Sequence, residues 1–173
     1  DAFGDCVINN FVNEYISGRT PNPCIECNRK IKFEAMLDRA KTLGYDKIAT
    51  GHYARVEHTK DRSLIRMATD ASKDQTYMLY SLTQDVLART EFPLGTLTKP
   101  EVRELAGTLG FPMAQKSDSQ DICFVPDGDY FAFMERYTGK KYAGGDFLDL
   151  NGNVVGKHRN AVAYTLGQRK GLG

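Results

Sequence analysis

The chain contains no apolar run near the ~20 residues that a helix needs to cross a bilayer, and its start does not read as a signal peptide. A membrane or secreted setting is therefore not expected, and a cytoplasmic one is. Net charge is almost absent: 23 lysines and arginines against 22 aspartates and glutamates leave +1. That balance neither demands nor excludes a nucleic-acid partner, so such a partner must be argued from local clusters. Cysteines are few, four in 173 residues, and unevenly spaced at Cys6, Cys24, Cys27 and Cys123. Without a secretion signal this argues against a disulfide scaffold and for redox or metal chemistry in a reducing compartment. Internal repeats and low-complexity tracts are missing too. What remains is an ordinary globular composition, 41% hydrophobic and 26% charged, enough for a core in one domain or one and a half.

Against that plain background one stretch is dense in chemistry. Gly18 to Asn28 reads Gly-Arg-Thr-Pro-Asn-Pro-Cys-Ile-Glu-Cys-Asn, with Cys24 and Cys27 in a Cys-x-x-Cys spacing. Pro21 and Pro23 stiffen the approach, because proline fixes φ and biases the residue before it toward an extended shape. Asn22 is thereby a small polar group on a rigid arm. A helix pattern begins near Asn28, which puts Cys27 at its amino end, where unpaired N–H groups and the dipole favour a thiolate. Arg29, Lys30 and Lys32 push the same way. The competing reading has both thiols filling a core beside a simple turn, yet buried structural thiols are rarely framed by a rigid loop and three cations.

The rest of the chain reads as α/β. Cys6 to Ile16 places Val7, Ile8, Phe11, Val12 and Tyr15 at helical spacing, with Cys6 packing among them and Gly18 as the stop. After Cys27 the helix carries Phe33, Met36, Leu37, Ala40 and Leu43 on one face, and Gly44 ends it in the left-handed C′ position. Lys47 to Gly51 is a short buried strand with a glycine at its carboxyl end, where ligands bind in doubly wound sheets. A hairpin over Arg55 to Ala68 follows, then Lys73-Asp74-Gln75 before a short helix; a cap explains that triplet better than a ligand site. Thr98 and Glu101 form a capping box, with Val102, Leu105, Ala106 and Leu109 as the buried stripe. Ser117 to Val125 reads as a loop entering a strand, where a lone Cys123 is more often core than catalytic. Beyond lie an aromatic helix from Asp129 to Tyr137, a strand Phe147–Leu150, an Asn151-Gly152 turn, a returning strand and a third strand at Ala161–Leu166. Residues 1–129 and 130–173 are expected to form two domains, the second small, mostly β and incomplete.

Taken together, Gly18 to Pro23, Cys24-x-x-Cys27-Asn28, Ile31-Lys32-Phe33, Thr50-Gly51-His52-Tyr53, Lys73-Asp74-Gln75, Ser119 to Phe124 and Gly167 to Gly173 resemble the bacterial and organellar tRNA-specific 2-thiouridylases. The motifs occur in the family's order along nearly the whole chain. The resemblance implies a PP-loop-type α/β domain followed by a small central domain. It also implies an enzyme that uses ATP with Mg2+ to activate C2 of the wobble uridine (U34) of tRNA and then replaces that oxygen with sulfur. Carried over by position, Cys27 matches the nucleophile and Cys123 the cysteine that takes up sulfur as a persulfide from a donor protein. Asn22, Pro23 and Cys24 match the segment at the target base, Gly51 an ATP contact, His52 a tRNA contact, and Lys73, Asp74 and Gln75 a second tRNA-contacting turn. Attack of Cys27 on the Cys123 persulfide would release sulfide and leave a Cys27–Cys123 disulfide. The family's glycine-rich PP-loop belongs upstream of residue 1 and its C-terminal barrel beyond residue 173, so the resemblance implies an internal fragment, inactive alone.

The same thiols allow other chemistry. Cys24, Cys27 and Cys123 form the three-thiolate set with which related thiolases hold a [4Fe–4S] cluster with one open iron. A zinc module would add His52, His158 or Cys6, but a second close-spaced ligand pair is missing. A thioredoxin-like oxidoreductase would need only the Cys-x-x-Cys, and the Pro-Asn-Pro approach argues against it. Arg29, Lys30, Lys32, Arg169 and Lys170 are the cations expected on tRNA phosphates.

Overall fold

Apolar residues recurring every three or four positions need a partner surface, and the two longest such patterns find one each. The computed structural model describes residues 1–115 and 122–172, in two units: Asp1–Pro23 with Ser119–Gly173, and Cys24–Asp118. In the first unit a π-type stretch, Gly4–Ile8, runs into helix α1 (Asn9–Ile16). Phe11, Val12 and Tyr15 are buried there with Met134. Met134 belongs to the aromatic helix Tyr130–Thr138, started by the Asp129 carboxylate, which accepts from the Ala132 N–H at 2.9 Å, and stopped by Gly139 at φ 67°. Phe11 meets Phe124 edge to face at 5.3 Å, an arrangement that ring quadrupoles favour. A hairpin pairs Gly145–Leu148 with Val154–His158. The expected third strand at Ala161–Leu166 is not formed: Ala161–Ala163 is a 3-10 turn, followed by Tyr164 in extended backbone. A short apolar run without strict alternation does not distinguish the two.

The second unit carries the chemistry. Helix α2 (Pro23–Glu26) continues without a break as a π-type stretch, Cys27–Ala35, and then as α3 (Met36–Thr42). The helix therefore starts at Pro23 and not near Asn28, because proline at a first helical position gives up an N–H that has no intrahelical partner anyway. Phe33 and Leu37 are fully buried, with Ala40 packed beside them, whereas Met36 and Leu43 are exposed. The face is narrower than expected.

Strand β1 (Ile48–Ala49) lies parallel to β4 (Thr90–Glu91), and β2 (Ala54–His58) pairs antiparallel with β3 (Ser63–Met67). The core joins Phe33, Leu37, Ile48, Ala54, Leu79 and Phe92. The mixture of helices with a parallel pair is α/β. Truncating a fully buried phenylalanine such as Phe33 costs about 3 to 5 kcal/mol. Helix α4 (Lys99–Thr108) has the expected capping box, the Glu101 carboxylate accepting from the Thr98 N–H at 2.7 Å. Its apolar stripe is not buried, however: Leu105 and Leu109 are 48% and 63% exposed. Among the described residues no helix is long and apolar enough to cross a membrane.

Candidate thiol site and its supporting network

Because the helix begins at Pro23, the thiol in its first turn is Cys24, which is exposed, while Cys27 sits one turn further in and is half-buried. Cys27 is the first residue of the π-type stretch. Such widened turns recur at functional sites. Arg29 and Lys30 do not simply surround the thiols with positive charge: Arg29 pairs with Glu26 at 2.6 Å and Lys30 with Glu34 at 2.9 Å. Lys32 is exposed.

Directly after Cys27, Asn28 is 2% exposed. Its amide nitrogen donates to the Met78 carbonyl at 3.1 Å, which turns its oxygen toward His52 Nε2 at 3.2 Å. His52 Nδ1 is 2.8 Å from Thr50 Oγ1. A consistent assignment has the imidazole neutral, donating from Nε2 to Asn28 and accepting the Thr50 hydroxyl at Nδ1. Burial first, and then the positive charge of Lys32, lower the His52 pKa to about 4. The ring lies between Phe33 and Phe92, with centroids 5.7 and 6.1 Å away. The tRNA contact expected of His52 thus falls on a side chain 8% exposed and bonded at both nitrogens within the chain.

Gly51 lies at the carboxyl end of β1 and is exposed. A Cβ there would meet only Leu94 Cδ1, at an ordinary 3.5 Å, so neither packing nor backbone demands the glycine. It leaves the strand end open to close approach. Gly95 is the opposite case, for a Cβ would fall 1.8 Å from the Ala54 carbonyl oxygen. Asn28 and Thr50 stand in quoted motifs without an assigned role, and Gly95 stands in none. A glycine two residues after Pro93 reads as a turn, and a polar residue in a helix reads as exposed.

The triplet Lys73-Asp74-Gln75 works largely inward. Asp74 accepts from the Ala68 N–H at 2.8 Å and the Thr76 N–H at 3.2 Å, as well as from the Thr76 hydroxyl. Burial raises its pKa, but these hydrogen bonds outweigh that and the net shift is downward. Gln75 Oε1 accepts the Tyr53 N–H at 2.9 Å, and the Gln75 N–H donates back to the Tyr53 carbonyl at 2.8 Å. The turn is thus clamped to the residue after His52. Lys73 ends the 3-10 turn Ala71–Lys73.

Asn22 is exposed and Pro23 buried; upstream, Thr20 Oγ1 accepts the Leu166 N–H at 3.1 Å. Cys123 is exposed in a turn, which corrects both the strand and the core packing expected there; Ser119, Gln120 and Asp121 of that motif lie outside the described residues. Cys24 and Cys27 belong to one unit and Cys123 to the other. All four cysteines are thiols, so the disulfide that the resemblance implies between Cys27 and Cys123 is not formed. In a relay that bridge exists only between sulfide release and reduction. Among the described residues no three of histidine, cysteine, aspartate and glutamate converge to hold a metal.

A family model described as the tRNA methyl transferase HUP domain matches residues 1–127, and one described as the tRNA methyl transferase PRC-barrel domain matches residues 131–173. The HUP domain belongs to the PP-loop superfamily, in line with the α/β character of the fold. The tRNA-specific 2-thiouridylase MnmA of Clostridium kluyveri is 53% identical over 173 residues, 100% of this chain and 49% of that protein. Its namesake in Heliobacterium modesticaldum is 53% identical over 176 residues, covering 100% of this chain and 46% of its own length. That of Leptospira biflexa is 51% identical over 172 residues, 99% and 45% respectively. The chain spans about half the length of the curated relatives it matches. The chain belongs to the tRNA methyl transferase HUP family, alongside relatives that bear the name tRNA-specific 2-thiouridylase.

Proposed function

We propose that this chain contributes the thiol-bearing part of an ATP-dependent tRNA-uridine 2-sulfurtransferase acting on the wobble uridine. Residues 1–129 then belong to the catalytic domain and residues 130–173 to a small central domain. The family description and the relatives' name agree on tRNA and differ on the group transferred, methyl or sulfur. The observation that carries the choice is the thiol set: Cys24 and Cys123 are exposed, and Cys27 is held one helical turn from Cys24 beside a buried polar network. Sulfur chemistry accounts for reactive thiols at these places.

In this reading ATP, with Mg2+, converts the C2 oxygen of the uridine into a good leaving group. Gly51 leaves the end of β1 open for that nucleotide, and Asn22, Pro23 and Cys24 lie at the target base. Cys123 carries a persulfide taken from a donor protein. The Cys27 thiolate attacks the Cys123 sulfur; the persulfide S–S bond breaks, hydrosulfide leaves, and a Cys27–Cys123 disulfide forms. Hydrosulfide then adds at C2 and AMP departs, while a dithiol reductant returns both cysteines to thiols. Lys73, Asp74 and Gln75 shape a turn that meets the tRNA, with Asp74 and Gln75 holding its form.

The test is formation of 2-thiouridine by the full-length enzyme, read by mass spectrometry of digested tRNA. Cys27→Ser and Cys123→Ser are each expected to abolish it, and normal thiolation by both would sink the proposal. Cys24→Ser separates the relay from the cluster alternative. A relay tolerates the loss of that thiol, whereas a [4Fe–4S] site on Cys24, Cys27 and Cys123 does not, and iron with labile sulfide after anaerobic purification would then be stoichiometric.

A further inference from the structure

His52 and Asn28 sit where three stretches of the proposed site meet, and their side chains are spent on one another. Thr50 and Gly51 directly follow β1, Asn28 follows Cys27 in the helix, and Met78 lies just beyond the Lys73-Asp74-Gln75 turn. The chain of contacts Thr50 Oγ1, His52 Nδ1, His52 Nε2, Asn28 Oδ1, Asn28 Nδ2, Met78 O links all three, with steps of 2.8, 3.2 and 3.1 Å. Tyr53 extends it by exchanging two hydrogen bonds with Gln75. Both linking side chains are more than nine-tenths buried, so water cannot replace a lost partner and the geometry is tightly specified.

We propose that His52 and Asn28 are positioning residues that lock the Cys27 turn of the helix to the Gly51 end of β1 and to the turn at residues 73–75, so that nucleotide, thiol and tRNA contacts hold one mutual geometry. The role rests on the sulfurtransferase reading. It assigns His52 an internal task in place of a direct contact with tRNA. The network's neutral form is the one the site enforces: burial and the neighbouring Lys32 both oppose a proton on the ring.

The experiment uses full-length enzyme carrying Thr50→Val, an isosteric change that removes the hydroxyl donor to Nδ1, with His52→Gln and His52→Leu as a second pair. Gln keeps one donor and one acceptor; Leu keeps bulk alone. Thr50→Val and His52→Leu are expected to lower kcat about 10- to 100-fold, with KM for tRNA and ATP within about twofold and His52→Gln within about threefold of the parent. In the folded protein without substrates, Thr50→Val is also expected to raise the iodoacetamide alkylation rate of half-buried Cys27 about threefold, leaving exposed Cys123 unchanged. A raised KM for tRNA at preserved kcat overturns the positioning role in favour of direct contact. Equal losses in Gln and Leu, or unchanged kcat and alkylation in Thr50→Val, overturn it as well. If the parent enzyme makes no 2-thiouridine, the sulfurtransferase reading and the catalytic role fall together; activity indifferent to these substitutions defeats the positioning role alone.

Discussion

A proton cannot be added to the His52 ring without disturbing the hydrogen bond that Thr50 gives it, and the surrounding Phe33 and Phe92 offer no replacement. The consequence is a linkage to pH. The folded ring has a pKa of about 4 against an ordinary 6.5, so below pH 6.5 the unfolded chain binds the proton that the folded chain refuses. Its contribution is fully present above pH 6.5, erodes as pH falls, and is gone once pH passes below the folded value. Denaturant unfolding of the parent and of His52→Gln at pH 7 and pH 5 checks this, the parent losing about 2 kcal/mol more than the variant. Equal losses would show that the ring titrates normally. Nothing around His52 in sequence announces the burial. Gly-His-Tyr at a strand end reads as an open ligand site, and only Phe33 and Phe92, brought in from either side, close it.

Two glycines separate space left for a ligand from space taken by the fold at the level of the strands. Gly51→Ala adds a methyl at ordinary contact distance from Leu94, so folding stability should stay within about 0.5 kcal/mol. In the full-length enzyme the same methyl should raise KM for ATP, because it occupies the opening at the end of β1. Gly95→Ala instead drives a methyl into the Ala54 carbonyl at the start of β2, and about 3 kcal/mol or more of stability should be lost. Thermal unfolding and ATP kinetics on both variants decide the matter; a stable Gly95→Ala protein would contradict the packing. Helix limits show how far local signals reach. Gly44 and the Thr98–Glu101 box stop and start helices as the sequence predicts, because caps act through neighbours on the chain. The α4 stripe misleads, since amphipathic spacing records a helix that could be buried and not whether another element covers it.

At the scale of the whole chain, a net charge of +1 means that, under the proposed function, tRNA is held by selected cations. Arg29 and Lys30 are already paired with Glu26 and Glu34, whereas Lys32, Arg169 and Lys170 are exposed. Neutralising Lys32, Arg169 and Lys170 together in the full-length enzyme should therefore weaken tRNA binding and flatten the slope of log K against log salt by roughly 2 to 3. The Arg29 and Lys30 changes should move it less, because each charge is already engaged by its own carboxylate partner. A binding titration across salt concentrations that shows the same slope for all would remove these residues from the RNA surface.

The sequence alone determined the helix periodicities, the caps, the Cys-x-x-Cys on its rigid approach and the order of motifs that leads to the family. Each of these depends on residues within a few positions of one another, or on their order. Tertiary structure decided what lies far apart in sequence and close in space. It paired β1 with β4, it made Asn28 and His52 a single buried unit, it turned Asp74 and Gln75 inward, and it placed Cys123 at the surface of its unit. Burial and partnership are properties of the environment that distant segments create. They govern protonation, hydrogen bonding and exposure, and so decide which motif residues can meet a substrate and which hold the others in place.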